Sequence, residues 1–262
     1  MNCPLCGASD LAAETDRYLR CPQCELLTQR TPPASLAIEE SDARYGHDIL
    51  SSDRRWLAMI AEAGPPVRSV LDLGAGNGGF VGFAQQEGWD AHGLEASPDL
   101  VRRGQQAGWP VQLADIDTWE AVAGRRFGVV RIWFVLEHIR QPGRLLQEAQ
   151  HALLPGGLLA AAVPNDAGWL SRRVMHSESD RFWEHPLHLH HFPPFGLERW
   201  LEGRGFELVL AEAGRPTELM RGGTLPLSEA WERVRERDPE LCRLFYKLGV
   251  GRNRELLLRL KA

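Results

Sequence analysis

Hydrophobic and polar positions divide the chain into two regimes. Up to about residue 30 apolar residues are sparse and no period emerges, whereas from residue 67 onward short apolar runs alternate with stretches of helical period. Val67–Leu73 reads as a short strand, and Asn77–Glu87 as a helix turning Phe80, Val81, Phe83 and Ala84 inward. Asp90–Glu95 is a second strand. Ser97-Pro98 then starts a helix through Gln106, with a hydroxyl cap and proline at the first position. Val111–Asp115 is a third strand, and Phe127–Val135 is almost continuously apolar, as suits a strand covered on both faces of a parallel sheet. Pro142 opens a helix that spaces Leu145, Leu146, Ala149, Ala152 and Leu153 on one side. Pro155-Gly156-Gly157 is expected to end it, before a fifth strand over Leu158–Val163. Repeated βα units of this length imply right-handed crossovers and an α/β, doubly wound sheet.

The flanks are less regular. Residues from Ser41 to Ala63 are helical in pattern, with Ile49, Trp56, Leu57 and Ile60 on one side, and Gly64-Pro65-Pro66 stops them. In the C-terminal third we expect a loop-helix insertion over Gly168–Trp183, a helix over Phe195–Glu202 and a strand over Phe206–Ala211. A helical excursion over Leu227–Leu248 and a final strand over Glu255–Leu260 follow, and a late hairpin interrupted by helices fits an antiparallel sheet edge.

Composition narrows the function classes. The chain has 262 residues, 44% hydrophobic and 25% charged, which accommodates one large domain plus a small appendage. A net charge of −5 argues against a general binder of nucleic acid or anionic membrane. No apolar run reaches the length of a membrane span, and no signal-peptide pattern opens the chain, so a cytoplasmic location is expected.

Four of the five cysteines stand as Cys3-x2-Cys6 and Cys21-x2-Cys24, the spacing of a zinc ribbon. Each hook offers two thiolates from a tight turn, and four complete a tetrahedron with no open coordination position, so zinc here is structural. Disulfides or iron are the competing readings; disulfides would need an exported chain. Residues 1–30 are thus expected to be a ribbon, 31–64 a linker and helical lead-in, and 65–262 the main domain.

Gly74, Gly76 and Gly79 satisfy G-x-G-x-x-G between a strand and a helix, and Glu95 closes the next strand 21 residues beyond Gly74. Nicotinamide and flavin enzymes share that loop, so the discriminating residue is Asp72. A pyrophosphate at the helix N-terminus wants donors and is repelled by a carboxylate. S-adenosylmethionine carries an ammonium and a sulfonium and no phosphate, so an acid beside the loop favours it. Glu95 is then placed to accept from the ribose hydroxyls. Asp115 ends the third strand where the adenine amine would lie, or else merely caps a following helix.

The segments Val70-Leu-Asp-Leu-Gly-Ala-Gly-Asn-Gly78, Gly93-Leu-Glu-Ala-Ser97, Leu136-Glu-His138, Pro155-Gly-Gly157, His190-His-Phe192 and Arg204-Gly-Phe206, in this order, resemble the class I methyltransferases. More narrowly they resemble the small-molecule branch that includes the ubiquinone-pathway O-methyltransferases, over about residues 41–262. The resemblance implies a seven-stranded, mostly parallel sheet with an antiparallel last strand. It implies cofactor contacts from Asp72, Gly74, Ala75, Gly76, Gly78, Glu95, Ala96, Asp115, Ile116 and Phe134. Two positions depart from the family. Strand four begins Phe127-Gly128 in place of Phe-Asp, and Phe134 stands where metal-assisted members carry a glutamate.

Methyl transfer is an in-line displacement, so the protein supplies positioning and, where the acceptor must lose a proton, a base. His138, at the end of strand four, and His188 and His190, in a four-histidine segment, are the candidates. That segment could equally chelate a metal, line an acceptor pocket or cap a helix. Residues 165–192 and 215–250 are the expected walls of the acceptor pocket. The expected acceptor is a small biosynthetic metabolite. The alternative is RNA held by the ribbon, disfavoured because Arg17, Arg20 and Arg30 are offset by Asp10, Glu14, Asp16 and Glu25. The ribbon could also dock a carrier or partner protein.

Overall fold

The computed structural model describes residues 1–33, 51–114, 124–165, 187–213, 239–247 and 253–261. Asp115, Ile116, the Gly168–Trp183 insertion and most of the Leu227–Leu248 excursion lie outside them.

The main domain is built on a seven-stranded sheet. In chain order its elements are α1 (Ser51–Ala63), β4 (Ser69–Leu73), α2 (Gly79–Gln86), β5 (Asp90–Glu95), α3 (Pro98–Gln106), β6 (Val111–Leu113), β7 (Phe127–Trp133), α4 (Pro142–His151) and β8 (Leu153–Pro164). After these come α5 (Gly196–Glu202), β10 (Phe206–Ala213), α6 (Pro239–Lys247) and β11 (Asn253–Leu260). The strand order is β10-β11-β8-β7-β4-β5-β6. β4 through β8 pair in parallel, and β11 runs antiparallel to both β8 and β10, inserted between them. The mostly parallel sheet with an antiparallel last strand is as expected, although that strand lies one place inside the edge.

Two caps explain why the local reading succeeded around α3. Ser97 Oγ accepts from the Leu100 amide, and Pro98 fills the first turn where no amide partner is needed. β8 differs from expectation. It begins at Leu153 and runs through Pro155-Gly156-Gly157 as a distortion of the ladder, where pairing jumps from Phe127↔Leu153 to Val129↔Leu158 and Gly156 takes φ 73°. Gly128 also gains a reason. Its amide donates to Ser69 Oγ at 2.9 Å, and a Cβ there would collide with the Val67 carbonyl oxygen. The aspartate usual at this position does not fit.

Each sheet face carries its own core. One packs Leu71, Leu73, Val130 and Ile132 against α4 and α5, through Leu145, Leu146, Leu197 and Leu201. The other packs Val70, Val129 and Ala160 against α1 and α2, through Trp56, Ile60, Val81 and Ala84. Buried side chains of this kind contribute about 1.5–3 kcal/mol each, so the sheet is the rigid part on which any site is carried.

The N-terminal segment does not stand apart. β1 (Ala12–Ala13), β2 (Tyr18–Arg20) and β3 (Leu27–Gln29) form a small antiparallel sheet whose fourth strand is β9 (His190–His191), which follows β8 in the chain. Cys3, Leu5, Ala8, Cys21 and Leu26 belong to the same core as Leu136, Phe192 and Trp200.

Candidate active site

The β4–α2 loop turns sharply because glycine permits it. Gly74 lies at φ 75°, and a Cβ there would strike the Val135 side chain at the end of β7. Gly76 lies at φ 57°, and a Cβ there would project into open space. Gly74 and Ala75 amides both donate to the Leu94 carbonyl, at 2.9 and 3.0 Å, which fixes the loop against β5. Glu95, buried at the end of β5, accepts from the Gly76 amide through Oε2 and from the Ser97 amide through Oε1, each at 2.9 Å. Ala96, beside it, is exposed. Gly78 caps α2 in the left-handed conformation.

Asp72, in β4 just ahead of the loop, is 1% exposed. Both its oxygens accept from Arg131 Nη1 at 3.1 Å, and Arg131 Nη2 donates to Asp53 of α1 at 2.9 Å. The guanidinium lies over Phe80 at 4.1 Å and Trp133 at 4.7 Å from the ring centroids. Burial pushes the Asp72 carboxyl up to about 6, against the opposing pull of Arg131 and with Asp53 and Glu95 adding to the rise. Two carboxylates, Asp72 and Asp53, thus share one guanidinium, and Glu95 adds a third negative charge at the end of the neighbouring strand. Arg131 and Asp53 were not singled out from the sequence. The available signal was the lone charge in the Phe127–Trp133 run, where an unpaired arginine would be costly.

β7 ends in a corner. Phe134 adopts φ 55°, rare for a side chain of this size, and its amide donates to the Ala162 carbonyl at 3.0 Å. Val135, next in sequence, closes on Gly74, and Glu137 and His138 follow within one turn. His138 Nδ1 lies 3.0 Å from the Leu187 carbonyl, an acceptor, so Nδ1 donates and Nε2 is left as the basic nitrogen. Its ring meets His188 edge-on at 4.9 Å. Glu137, His138 and His188 each direct one ligand atom into a space under 4.8 Å across, a donor set that suits a divalent cation. His190 is placed differently. Its Nε2 lies 2.9 Å from the Ile139 carbonyl, and burial lowers its pKa to about 3, so it stays neutral.

The cysteines form a second constellation. Cys3, Cys6, Cys21 and Cys24 bring their sulfurs within 4.8 Å of one another, with Cys3–Cys24 and Cys6–Cys21 each 3.5 Å apart. The two hooks repeat one geometry. The Cys3 amide donates to Ala8 and the Gly7 amide to Cys3; likewise Cys21 to Leu26 and Glu25 to Cys21. Gly7 and Glu25 both take left-handed φ, at 80° and 59°. Hydrogen bonding between Cys3 and Cys24 draws the Cys3 thiol down, with burial opposing, and pushes Cys24 up, so the two sulfurs share one proton between them. This set fits one tetrahedral ion.

Comparison with known proteins agrees with this geometry. Residues 45–211 match a family model described as a methyltransferase domain. A ubiquinone biosynthesis O-methyltransferase from Methylobacterium nodulans is 36% identical over 103 residues, covering 37% of this chain and 41% of that protein. The chain thus aligns with less than half the length of this relative. Among solved structures, an S-adenosylmethionine-dependent methyltransferase from Archaeoglobus fulgidus superposes with TM-score 0.58 at 20% identity, covering 83% of this chain and 97% of that one. Another from Mesorhizobium loti gives 0.52 at 21% identity, covering 78% and 97%. At these identities the structural likeness speaks to the fold.

Proposed function

The chain belongs to the methyltransferase-domain family, and from that premise we propose that it is an S-adenosylmethionine-dependent enzyme that methylates a small metabolite with His138 as the base. The observation that carries the proposal is the corner at the end of β7. Val135 touches the glycine loop, and three residues on His138 presents Nε2 with its tautomer fixed by Leu187. Cofactor and base are therefore set by one short stretch of chain.

The cofactor, when bound, supplies a methyl group already activated by positive sulfur. Gly74–Gly78 and Glu95 would hold its nucleoside, Asp72 with Arg131 would bound its amino-acid end, and among the described residues Ala96 and Phe134 would complete the contacts. His138 takes the acceptor proton as the nucleophile attacks in line, and His188 keeps the imidazole oriented. His190, neutral and tied to Ile139, supports the segment. The partial match to an O-methyltransferase supports a hydroxyl-bearing acceptor. The four cysteines hold zinc in a structural site.

Turnover of radiolabelled S-adenosylmethionine against a panel of phenols, amines and sugars tests the reading. His138→Gln is expected to lower kcat by about 10²–10⁴-fold while S-adenosylhomocysteine affinity holds. Unchanged kcat on a panel member that the parent methylates removes His138 from the chemistry.

A further inference from the structure

The ribbon and the histidine segment are hydrogen-bonded into one unit. In the pairing of β3 with β9, Leu27 faces His191 and Thr28 faces His190. Gln29 binds the segment just before β9 from both ends of its residue: its amide donates to the Leu189 carbonyl at 2.9 Å, and its side-chain Nε2 to the His188 carbonyl at 3.0 Å. On the other side, the Leu189 and His190 amides donate to the Glu137 carbonyl at 2.7 and 3.2 Å, and His138 donates to Leu187. Residues 187–191 are therefore clamped between ribbon strand β3 and the corner after β7.

The ribbon itself is seated on α4. The Gly143 amide donates to the Pro4 carbonyl at 3.1 Å, and a Cβ on Gly143 would collide with the Leu5 carbonyl oxygen. Pro4 and Leu5 lie between Cys3 and Cys6, so the metal hook and the seat are the same turn. None of these hydrogen bonds reaches the glycine loop, where the Gly74 and Ala75 amides bind back to Leu94 and the Gly76 amide to Glu95.

We infer that the cysteine ribbon is a positioning device for the acceptor side of the active site. Its four thiols, joined by one metal ion, hold β3 flat, and β3 holds His188 against His138. The state of those thiols then governs methyl transfer without governing cofactor binding. This rests on the reading that His138 and His188 serve the acceptor. Gln29 and Gly143 are positioning residues in this scheme, and neither touches a reacting atom.

The test compares the metal-loaded protein, the protein stripped by a thiol-reactive mercurial with chelator, and the metal-loaded variants Gln29→Ala and Gly143→Val. Each is read by metal content, calorimetry with S-adenosylhomocysteine, and backbone hydrogen exchange over 187–191. Stripping is expected to raise exchange over 187–191 by about tenfold or more, with cofactor affinity kept within about twofold. Gly143→Val should retain one metal per chain and show the same local loosening, because it lifts the ribbon from α4 without touching sulfur. On an acceptor from the panel, kcat should fall by about 10²-fold, as misplacement of about 1 Å at a reacting group produces. Gln29→Ala should fall between parent and Gly143→Val. Unchanged exchange over 187–191 in both the stripped protein and Gly143→Val overturns the inference. Loosened exchange with unchanged kcat overturns instead the assignment of the histidines to the acceptor.

Discussion

Asp72 and Arg131 stand directly opposite each other on neighbouring parallel strands, and Arg131 Nη1 donates to both carboxylate oxygens from 3.1 Å. The pair is roofed by Phe80 and Trp133, and Arg131 reaches on to Asp53 of α1. One guanidinium therefore joins β4, the strand that feeds the glycine loop, to α1.

Breaking that pair from one side should be severe. Arg131→Met leaves two carboxylates facing each other in an apolar setting, and a loss of about 3–5 kcal/mol is expected from removing one partner of a buried ion pair. The double variant Asp72→Asn/Arg131→Met should recover part of it. Urea denaturation of the four proteins closes the cycle; strict additivity would show that the two groups do not interact.

Asp72 also gives cofactor binding a pH dependence. Its folded-state pKa of about 6 exceeds the ordinary 3.8, so as pH rises the unfolded chain gives up this proton first. The group's contribution to stability therefore falls between about pH 4 and 6 and is flat above. Cationic cofactor prefers the ionised form, so affinity should rise by up to about tenfold per pH unit below 6 and level off above it. In Asp72→Asn both slopes should vanish. Calorimetry at pH 5, 6 and 7 reads the binding arm, and a parent curve flat across that range contradicts the coupling.

Gly74 and Gly76 should separate folding from binding. Gly74→Ala meets both a left-handed φ and the Val135 side chain, so it should cost about 1–3 kcal/mol and lower the melting temperature. Gly76→Ala carries only the φ penalty of about 1–2 kcal/mol, but its methyl projects into the open space beside the loop, where the proposed cofactor would lie. It should lose cofactor affinity out of proportion to stability. Equal effects from the two substitutions on both readouts would mean that the cofactor does not lie there.

What could be read from the chain depended on the range of each interaction. β5 and α3 were placed to the residue, because Asp90–Glu95 and the Ser97-Pro98 cap signal themselves locally. The placement of the glycine loop between Asp72 and Glu95 was equally legible, since these residues lie within one βαβ unit. Arg131 was hidden by its own strand, whose apolar neighbours dominate the pattern, and its meaning depends on Asp72, 59 positions earlier. The early start of β8 was masked by Pro155-Gly156-Gly157, a helix stop that here distorts a ladder. The pairing of Thr28 with His190 left no trace at all, because a two-residue strand has no period and strands β4 to β8 intervene between the two partners.

The place of β11 carries a consequence for how the molecule is made. β8 and β10 both leave the ribosome before the strand that must fill the slot between them. Until β11 is synthesised, the nascent chain presents two unsatisfied strand edges facing a common gap. Such edges recruit foreign strands. Translation that stalls or terminates ahead of Asn253 should therefore yield protein whose cofactor loop can form but whose sheet is open to aggregation.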